Sequence, residues 1–387
     1  MNSFSILTTS FLVALLFFPI FIKFLKKIRF GDNPGGRRIH KKFTPSMGGL
    51  ILFFSSFFSF FVWGFFEESI VNIWFFLAGA VVVLYVGLSD DIVNLKASFK
   101  LIGQTIAAMI VVIQGDIRIS SFYGFLGVGL LPDYFSIAFS VLFLLVSSNA
   151  FNLIDGVDGL AGTISLIALT FFGIWFSIQG DFVSYASFSI ALVGATLGFL
   201  VFNWQPAKIF MGDTGSLTLG FSIGVMVIVF FNSNEMLEVP GVWKFNSPLA
   251  MGIALIIYPL FDLIRVFIRR ILNGNHPMKA DKGHIHHLLI RSGMSHQKVT
   301  LVISTVQLVF VVLGLVLSSL EDNWSVAILF CLALIFGRIV EMYTLRKIRD
   351  RVLASPRISK KLKLDLVRPS QKSIEDFNHL FNKMNKN

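Results

Sequence analysis

The chain holds a single cysteine, Cys331, and it lies inside an apolar run. A disulfide framework is therefore excluded, as is any metal site built on thiolates. Charge is scarce too: 14% of the 387 residues are Asp, Glu, Lys or Arg, against 55% hydrophobic residues that include 44 phenylalanines. Such a composition leaves no room for a water-soluble domain longer than the C-terminal tail. No fixed-period repeat or low-complexity tract is present, and no small-residue cleavage site follows the first apolar run, which is expected to be a retained helix. The central stretches of the apolar runs also lack charge. A secondary transporter is expected to keep ionisable groups or broken helices near the bilayer midplane, whereas Asp262, Arg265 and Arg338 lie towards the ends of their runs.

Apolar runs fill most of the chain. Runs of about 17 to 25 apolar residues read as spanning helices, which places segments at 4–25, 47–65, 70–88, 101–114 with its flanks, 135–152, 160–178, 183–203, 217–232, 247–268, 299–320 and 324–344. The expected fold class is an all-α integral membrane protein with eleven spans, and an odd number puts the termini on opposite sides. Of 33 Lys+Arg, only Arg118 and Lys244 fall in the loops of one side. Because basic residues are retained in cytoplasmic loops, the N-terminus is expected outside and the C-terminus in the cytoplasm. The net charge of +11 is then explained by topology and by attraction to anionic membrane lipids, with no nucleic-acid partner. Composition shifts near residue 345, dividing a membrane domain, 1–345, from a basic tail, 346–387. In that tail Ile374, Phe377, Leu380, Phe381 and Met384 recur at helical spacing, which suits either an amphipathic helix on the inner leaflet or a solvated tail.

The polar motifs collect in the inner loops of this topology. Asp90 and Asp91 open the 89–100 loop; adjacent acids stand roughly 100° apart on any helix, so they are expected to serve different partners. Two acids there suit a divalent cation or a base acting on phosphate, and a hydrated loop accounts for one of them. Asn152, Asp155 and Asp158 are spaced three apart and would line one face if helical, with Gly156, Gly159 and Gly162 permitting tight turns or close approach. A pair of Asp-Gly turns is the alternative, and it leaves Asn149 and Asn152 inside an apolar segment unexplained. A further loop runs from Asn203 through Phe210 to Gly212-Asp213-Thr214-Gly215-Ser216 and enters a helix at Leu217. Its backbone N–H groups are placed to bind phosphate, with Asp213 holding a cation; plain capping by Thr214 or Ser216 would account for half of it. It is not a Walker loop. Finally, His284, His286 and His287 follow Arg265, Arg269 and Arg270 in the most basic loop. No further Cys or His completes a tetrahedral zinc set, whereas binding a diphosphate suits a face already carrying five carboxylates. A hard, oxygen-rich site favours Mg²⁺ or Mn²⁺. Nine of the 22 Asp+Glu lie on the outer side without any comparable motif.

These residues, in order, resemble the polyprenyl-phosphate N-acetylhexosamine-1-phosphate transferase family. The resemblance covers roughly residues 32–293: Asp32, Pro34, Arg37, Arg38 and His40 with Pro45, Met47, Gly48 and Gly49; Asp90 and Asp91; Asn149 to Gly159; Asn203 with Met211 to Ser216; and the histidine loop. His284-Ile285-His286-His287 is similar to the branch that uses UDP-GlcNAc or a related UDP-amino sugar, although Met278 and Lys282 stand where Phe and Arg are common in it. The resemblance implies transfer of a sugar-1-phosphate from a UDP-N-acetylamino sugar to undecaprenyl phosphate with release of UMP, at the cytoplasmic face of the inner membrane, at the start of cell-envelope polysaccharide synthesis. It further implies Asp213, with Asp155, for Mg²⁺; Asp90 or Asp91 for the lipid phosphate; and Asn152, Asp155, Asp158, Asn203 and Phe210 for the nucleotide. Arg265, His284, His286 and His287 would then meet the diphosphate. Alternatives are a phospho-MurNAc-pentapeptide transferase, a transporter and a non-catalytic lipid-binding protein, and a homodimer is left open.

Overall fold

The computed structural model describes residues 2–31, 43–64, 73–180, 182–237, 243–274 and 283–354. The motif from Asp32 to His40, Met278, Lys282 and the periodic tail residues from Ile374 to Met384 lie outside the described residues. Within them the chain is mostly helical, and Ser121 and Leu130 form an isolated antiparallel bridge. The elements are α1 (Ser3–Lys27), α2 (Gly48–Trp63), α3 (Ile73–Val93), α4 (Ala97–Met109, continued by a π turn to Gln114), α5 (Asp133–Ile154), α6 (Leu160–Gln179), α7 (Val183–Asn203), α8 (Gly212–Met236), α9 (Pro248–Leu272), α10 (Ile285–Arg291), α11 (His296–Leu317) and α12 (Asp322–Ala354). Ten are long and apolar enough to cross a membrane, and α2 is a shorter apolar helix of 16 residues. This is a multi-pass membrane protein. In lipid every backbone polar group must find an internal partner, which is why the apolar runs resolve into helices and little else.

The core sits around α8, in which nearly every residue from Thr214 to Asn234 is buried. Small residues let its neighbours come close, as is usual where lipid tails supply no hydrophobic drive between helices. Ser147 and Ser148 of α5 donate to the carbonyls of Gly220 and Leu217 at 2.7 and 2.8 Å. At the N-terminal end of α8, a Cβ on Gly49 of α2 would overlap the Gly215 backbone, and one on Gly87 of α3 would meet Asp213 and Thr214. The first residues of α8 are thus wedged between α2 and α3. Phenylalanines fill the wider gaps: Phe188 of α7 packs on Phe57, Phe60 and Phe76, and Phe230 lies 4.8 Å from Trp175.

α9 is broken in mid-course, with Ile256 out of helical geometry and Pro259 inside the helix. Proline has no N–H to give, so the carbonyls before it lose partners. Gln307 of α11, fully buried, replaces them: its amide nitrogen donates to Ala254 O and Leu255 O at 2.8 and 3.0 Å, and its oxygen accepts from Tyr258 N at 3.2 Å. The bend is therefore clamped, and it fixes where the C-terminal half of α9, with Asp262 and Arg265, points. The shift of composition near 345 is not the end of structure, because α12 continues through it to Ala354.

Candidate active site

α3 runs on to Val93, so Asp90 and Asp91 stand on its last turn and not in a loop. The expected divergence of the two acids is realised. Asp90 turns to α4, where Lys100 Nζ lies 3.1 Å from its Oδ2. Asp91 turns to α8. Its Oδ1 accepts from Asp213 N at 2.9 Å, and its Oδ2 accepts from Thr214 N and Thr214 Oγ1 at 3.0 and 2.6 Å.

That arrangement corrects the expectation that phosphate binds the α8 N-terminus. The helix begins at Gly212, not Leu217, and carboxylates already hold its first N–H groups. Gly212 N donates to Asp155, and the next two donate to Asp91. Side-chain oxygens accepting from the first N–H groups of a helix cap it favourably, and here they lock α8 to α3 and to the turn after α5. What α8 offers outward is the side chain of Asp213. One of its oxygens accepts from Asn152 Nδ2 at 2.8 Å and the other is ion-paired with Lys100. Lys100 therefore bridges Asp90 and Asp213, and Asn152 also reaches Ser216 Oγ at 2.9 Å.

The expectation that Asn152, Asp155 and Asp158 share a helical face also fails, because α5 stops at Ile154. The chain then turns, and the two acids part. Asp155 stays with the cluster. Desolvation there, reinforced by the carboxylates of Asp213, Asp91 and Asp158, pushes its carboxyl well above the usual range, against the bond from Gly212 N. Asp158 faces α11: its Oδ1 is 3.2 Å from His296 Nδ1, its Oδ2 accepts from Ala207 N at 3.2 Å, and its own carbonyl accepts from Thr300 Oγ1. Its contacts tie loops together. Asn203 does the same, accepting from Gly159 N and donating to Ile209 O at 2.8 Å each. Phe210 is half-buried, and its backbone pairs with Pro45 O and Gly48 N, which seats the Pro45 to Gly49 motif on α8.

The histidines lie on and just before α10, against the Asp155 turn: a Cβ on Gly156 would stand 3.1 Å from His286 Nε2. His284 Nδ1 is 3.0 Å from Asp262 Oδ2. Arg265 does not point at open space as expected for a diphosphate ligand. It donates to Asp262 Oδ1 at 3.0 Å, Glu341 Oε1 at 2.9 Å and Gly283 O at 2.6 Å. His286 is buried, and desolvation first, then the neighbouring His287, pulls its pKa down to about 3. It is a neutral imidazole at working pH. In the unfolded chain an ordinary histidine binds its proton near 6.5, so between pH 6.5 and 3 the unfolded state holds more protons and stability falls as pH falls, by at most about 1.4 kcal/mol per pH unit for one site. Thermal midpoints of purified protein measured over that window should slope downward towards acid, and His286→Gln should flatten the slope; an unchanged slope would sink this reading.

Lys100 is the residue that the sequence did not single out. It looked like one more inner-face positive charge, and only its position one turn into α4 places it between two acids from α3 and α8.

The family "Glycosyl transferase family 4" matches residues 73–231, from the start of α3 to the C-terminal part of α8. A Bacillus subtilis protein named "Probable undecaprenyl-phosphate N-acetylglucosaminyl 1-phosphate transferase" is 34% identical over 349 residues, covering 86% of this chain and 90% of its own length. The chain belongs to glycosyl transferase family 4. An undecaprenyl-phosphate alpha-N-acetylglucosaminyl 1-phosphate transferase of Escherichia coli is 28% identical over 344 residues, with 86% of this chain and 89% of that protein covered. A phospho-N-acetylmuramoyl-pentapeptide-transferase of Clostridium beijerinckii is 32% identical over 329 residues, with 80% and 94% covered. The family segment contains all of Asp90, Asp91, Lys100, Asn152, Asp155 and Asp213. The histidine segment falls beyond it, yet within the longer likenesses, which at 86% of the chain necessarily take it in.

Proposed function

We propose that this family 4 glycosyl transferase moves N-acetylglucosamine-1-phosphate from UDP-GlcNAc to undecaprenyl phosphate at the cytoplasmic face of the inner membrane. An oxygen of the lipid phosphate attacks the phosphorus attached to the sugar. The bond from that phosphorus to the UMP oxygen breaks, leaving UMP and a lipid diphosphosugar. The observation that carries this reading is the bridge from Asp90 through Lys100 to Asp213. Phosphoryl transfer demands mostly positioning and neutralisation of charge, and the bridge brings cation and anions together at the ends of spanning helices, where a water-soluble nucleotide meets a lipid. Asp91, bound on three sides, is left to hold α8, which makes Asp90 the acid that orients the acceptor phosphate. Asn152 fixes the orientation of Asp213.

A divalent cation fits these residues. Among the described residues no three or more His, Cys, Asp or Glu converge as a metal set, but Mg²⁺ takes one or two carboxylates with the substrate's own phosphates. Asp90 and Asp213 already share a positive charge, that of Lys100. They are the residues that would hold Mg²⁺ or Mn²⁺, with Asp155 behind them, and the ion would neutralise the diphosphate as UMP departs.

The likeness to a pentapeptide transferase favours a second reading, with a UDP-MurNAc-pentapeptide donor. The deciding measurement offers UDP-GlcNAc, UDP-GalNAc and UDP-MurNAc-pentapeptide to purified protein with undecaprenyl phosphate and Mg²⁺, and follows UMP. Turnover is expected with a small UDP-N-acetylamino sugar. UMP release from the pentapeptide donor alone would move the chain to the other branch, and none from any donor would leave a binding protein or transporter.

A further inference from the structure

α10 is only seven residues long, and an isolated helix of that length is not stable in water. Yet it carries or borders His284, His286 and His287. Ser292 N, Met294 N and Gly293 N close its last turn on Leu288 O, Leu289 O and Ile290 O, and the carbonyls at its very end are also met from a distant part of the chain. Arg351 of α12 donates through both terminal nitrogens to Arg291 O and Ser292 O, and Thr344 Oγ1 donates to Leu288 O at 3.3 Å. A cation at a helix C-terminus is favourable for the dipole as well as for the bonds.

The other end of the segment is held by the same helix through an intermediary. Glu341 Oε1 takes Arg265 Nη1, and Arg265 in turn holds Gly283 O and Asp262, the partner of His284. Glycines stand at both ends of the segment, each close against an arginine. A Cβ on Gly283 would run into the guanidinium of Arg269, and one on Gly293, which has φ +101°, into that of Arg351. On α12, Gly337 lies one turn before Glu341 and leaves room for Phe261 and the Arg265 stem. Glu341, Thr344 and Arg351 share one face of α12 by their spacing of three and seven.

From this geometry we infer that the inner end of α12 is a splint for the histidine segment, and that Glu341 and Arg351 are positioning residues for the transfer reaction. Glu341 acts through Arg265 and Asp262 on His284; Arg351 acts on the C-terminus of α10. The inference rests on the reading that the histidines serve the reaction.

The test uses full-length enzyme in lipid nanodiscs carrying Glu341→Gln, Arg351→Met or Arg351→Lys. Misplacing a catalytic group slightly is costly, so the first two variants are expected to lose about tenfold to a hundredfold in kcat with donor KM little changed. Arg351→Lys, which keeps a donor cation, should recover most of that loss. Amide exchange of the peptide over 284–292, read without substrate, should quicken in the first two variants, because local opening becomes easier once α12 lets go of Gly283 through Arg265 or of Arg291 O and Ser292 O. Parent-like exchange and turnover in both would overturn the inference. So would a loss of turnover that follows the fraction of folded protein and is not recovered by lysine, since that is ordinary bundle stability. Thr344→Val removes one bond without touching a charge; should a charge variant fail to assemble, unchanged exchange around Leu288 in Thr344→Val has the same force. The exchange reading is independent of the donor, so a wrong donor and a wrong splint give different results.

Discussion

Asp213→Asn is expected to reduce turnover by at least about a thousandfold, roughly 4 kcal/mol of barrier. The amide keeps the shape of the side chain and still accepts from Asn152 through its oxygen, but it cannot present a charge to Lys100 or to a divalent cation. The α8 N-terminus is untouched, because Asp91 and Asp155 hold the N–H groups of Gly212, Asp213 and Thr214. The variant should therefore fold like the parent. Turnover followed against Mg²⁺ concentration checks the assignment: the requirement for cation should rise steeply, and a near-parental rate at low Mg²⁺ would remove Asp213 from the metal.

Lys100→Met is expected to lower turnover by about a hundredfold to a thousandfold, but with the opposite effect on cation binding. In the parent the ammonium group competes for the two carboxylates it bridges, those of Asp90 and Asp213. Without it they are left close together and unscreened, which favours a divalent cation in their midst. The variant should thus bind Mn²⁺, measured by its paramagnetic signal in the absence of substrate, at least as tightly as the parent while turning over far more slowly. Weaker Mn²⁺ binding would mean that Lys100 helps to build the cation site and does not share it. A parental rate would mean that its charge is not needed for the phosphates.

Much of the fold was legible because the bilayer imposes a simple code: long apolar runs become spanning helices, with the polar motifs at their ends. The acids and the histidines were legible for the same reason, since charge at such junctions demands a partner. Their pairing was less so. Asp90 and Asp91 looked interchangeable, and that Asp91 is the one that caps α8 was hidden, because capping depends on which helix end lies opposite, a matter of packing and not of spacing. The regular three-residue spacing of Asn152, Asp155 and Asp158 suggested a helical face that ends one residue too early at Ile154. Asn203 and Arg265 looked like ligands for substrate, and their hydrogen bonds go to backbone and acids brought near by other elements. Lys100 was hidden by its plainness, and Glu341 and Arg351 by their distance in sequence from the segment they hold.

The central position of α8 has a consequence for how the molecule comes into being. Between Asp213 and Glu235 the helix carries no charge, so it can enter the bilayer on its own, yet almost nothing of it faces lipid at the end. In a two-stage view of membrane assembly, insertion comes first and helix association later. Asp213 arrives at the membrane boundary with the first stage, alone, and meets Asp90, Asp91, Lys100, Asn152 and Asp155 only as α3, α4 and α5 close around α8. The acidic centre is thus absent from the inserted but unassociated chain, and its appearance marks the closing of α3, α4 and α5 on α8.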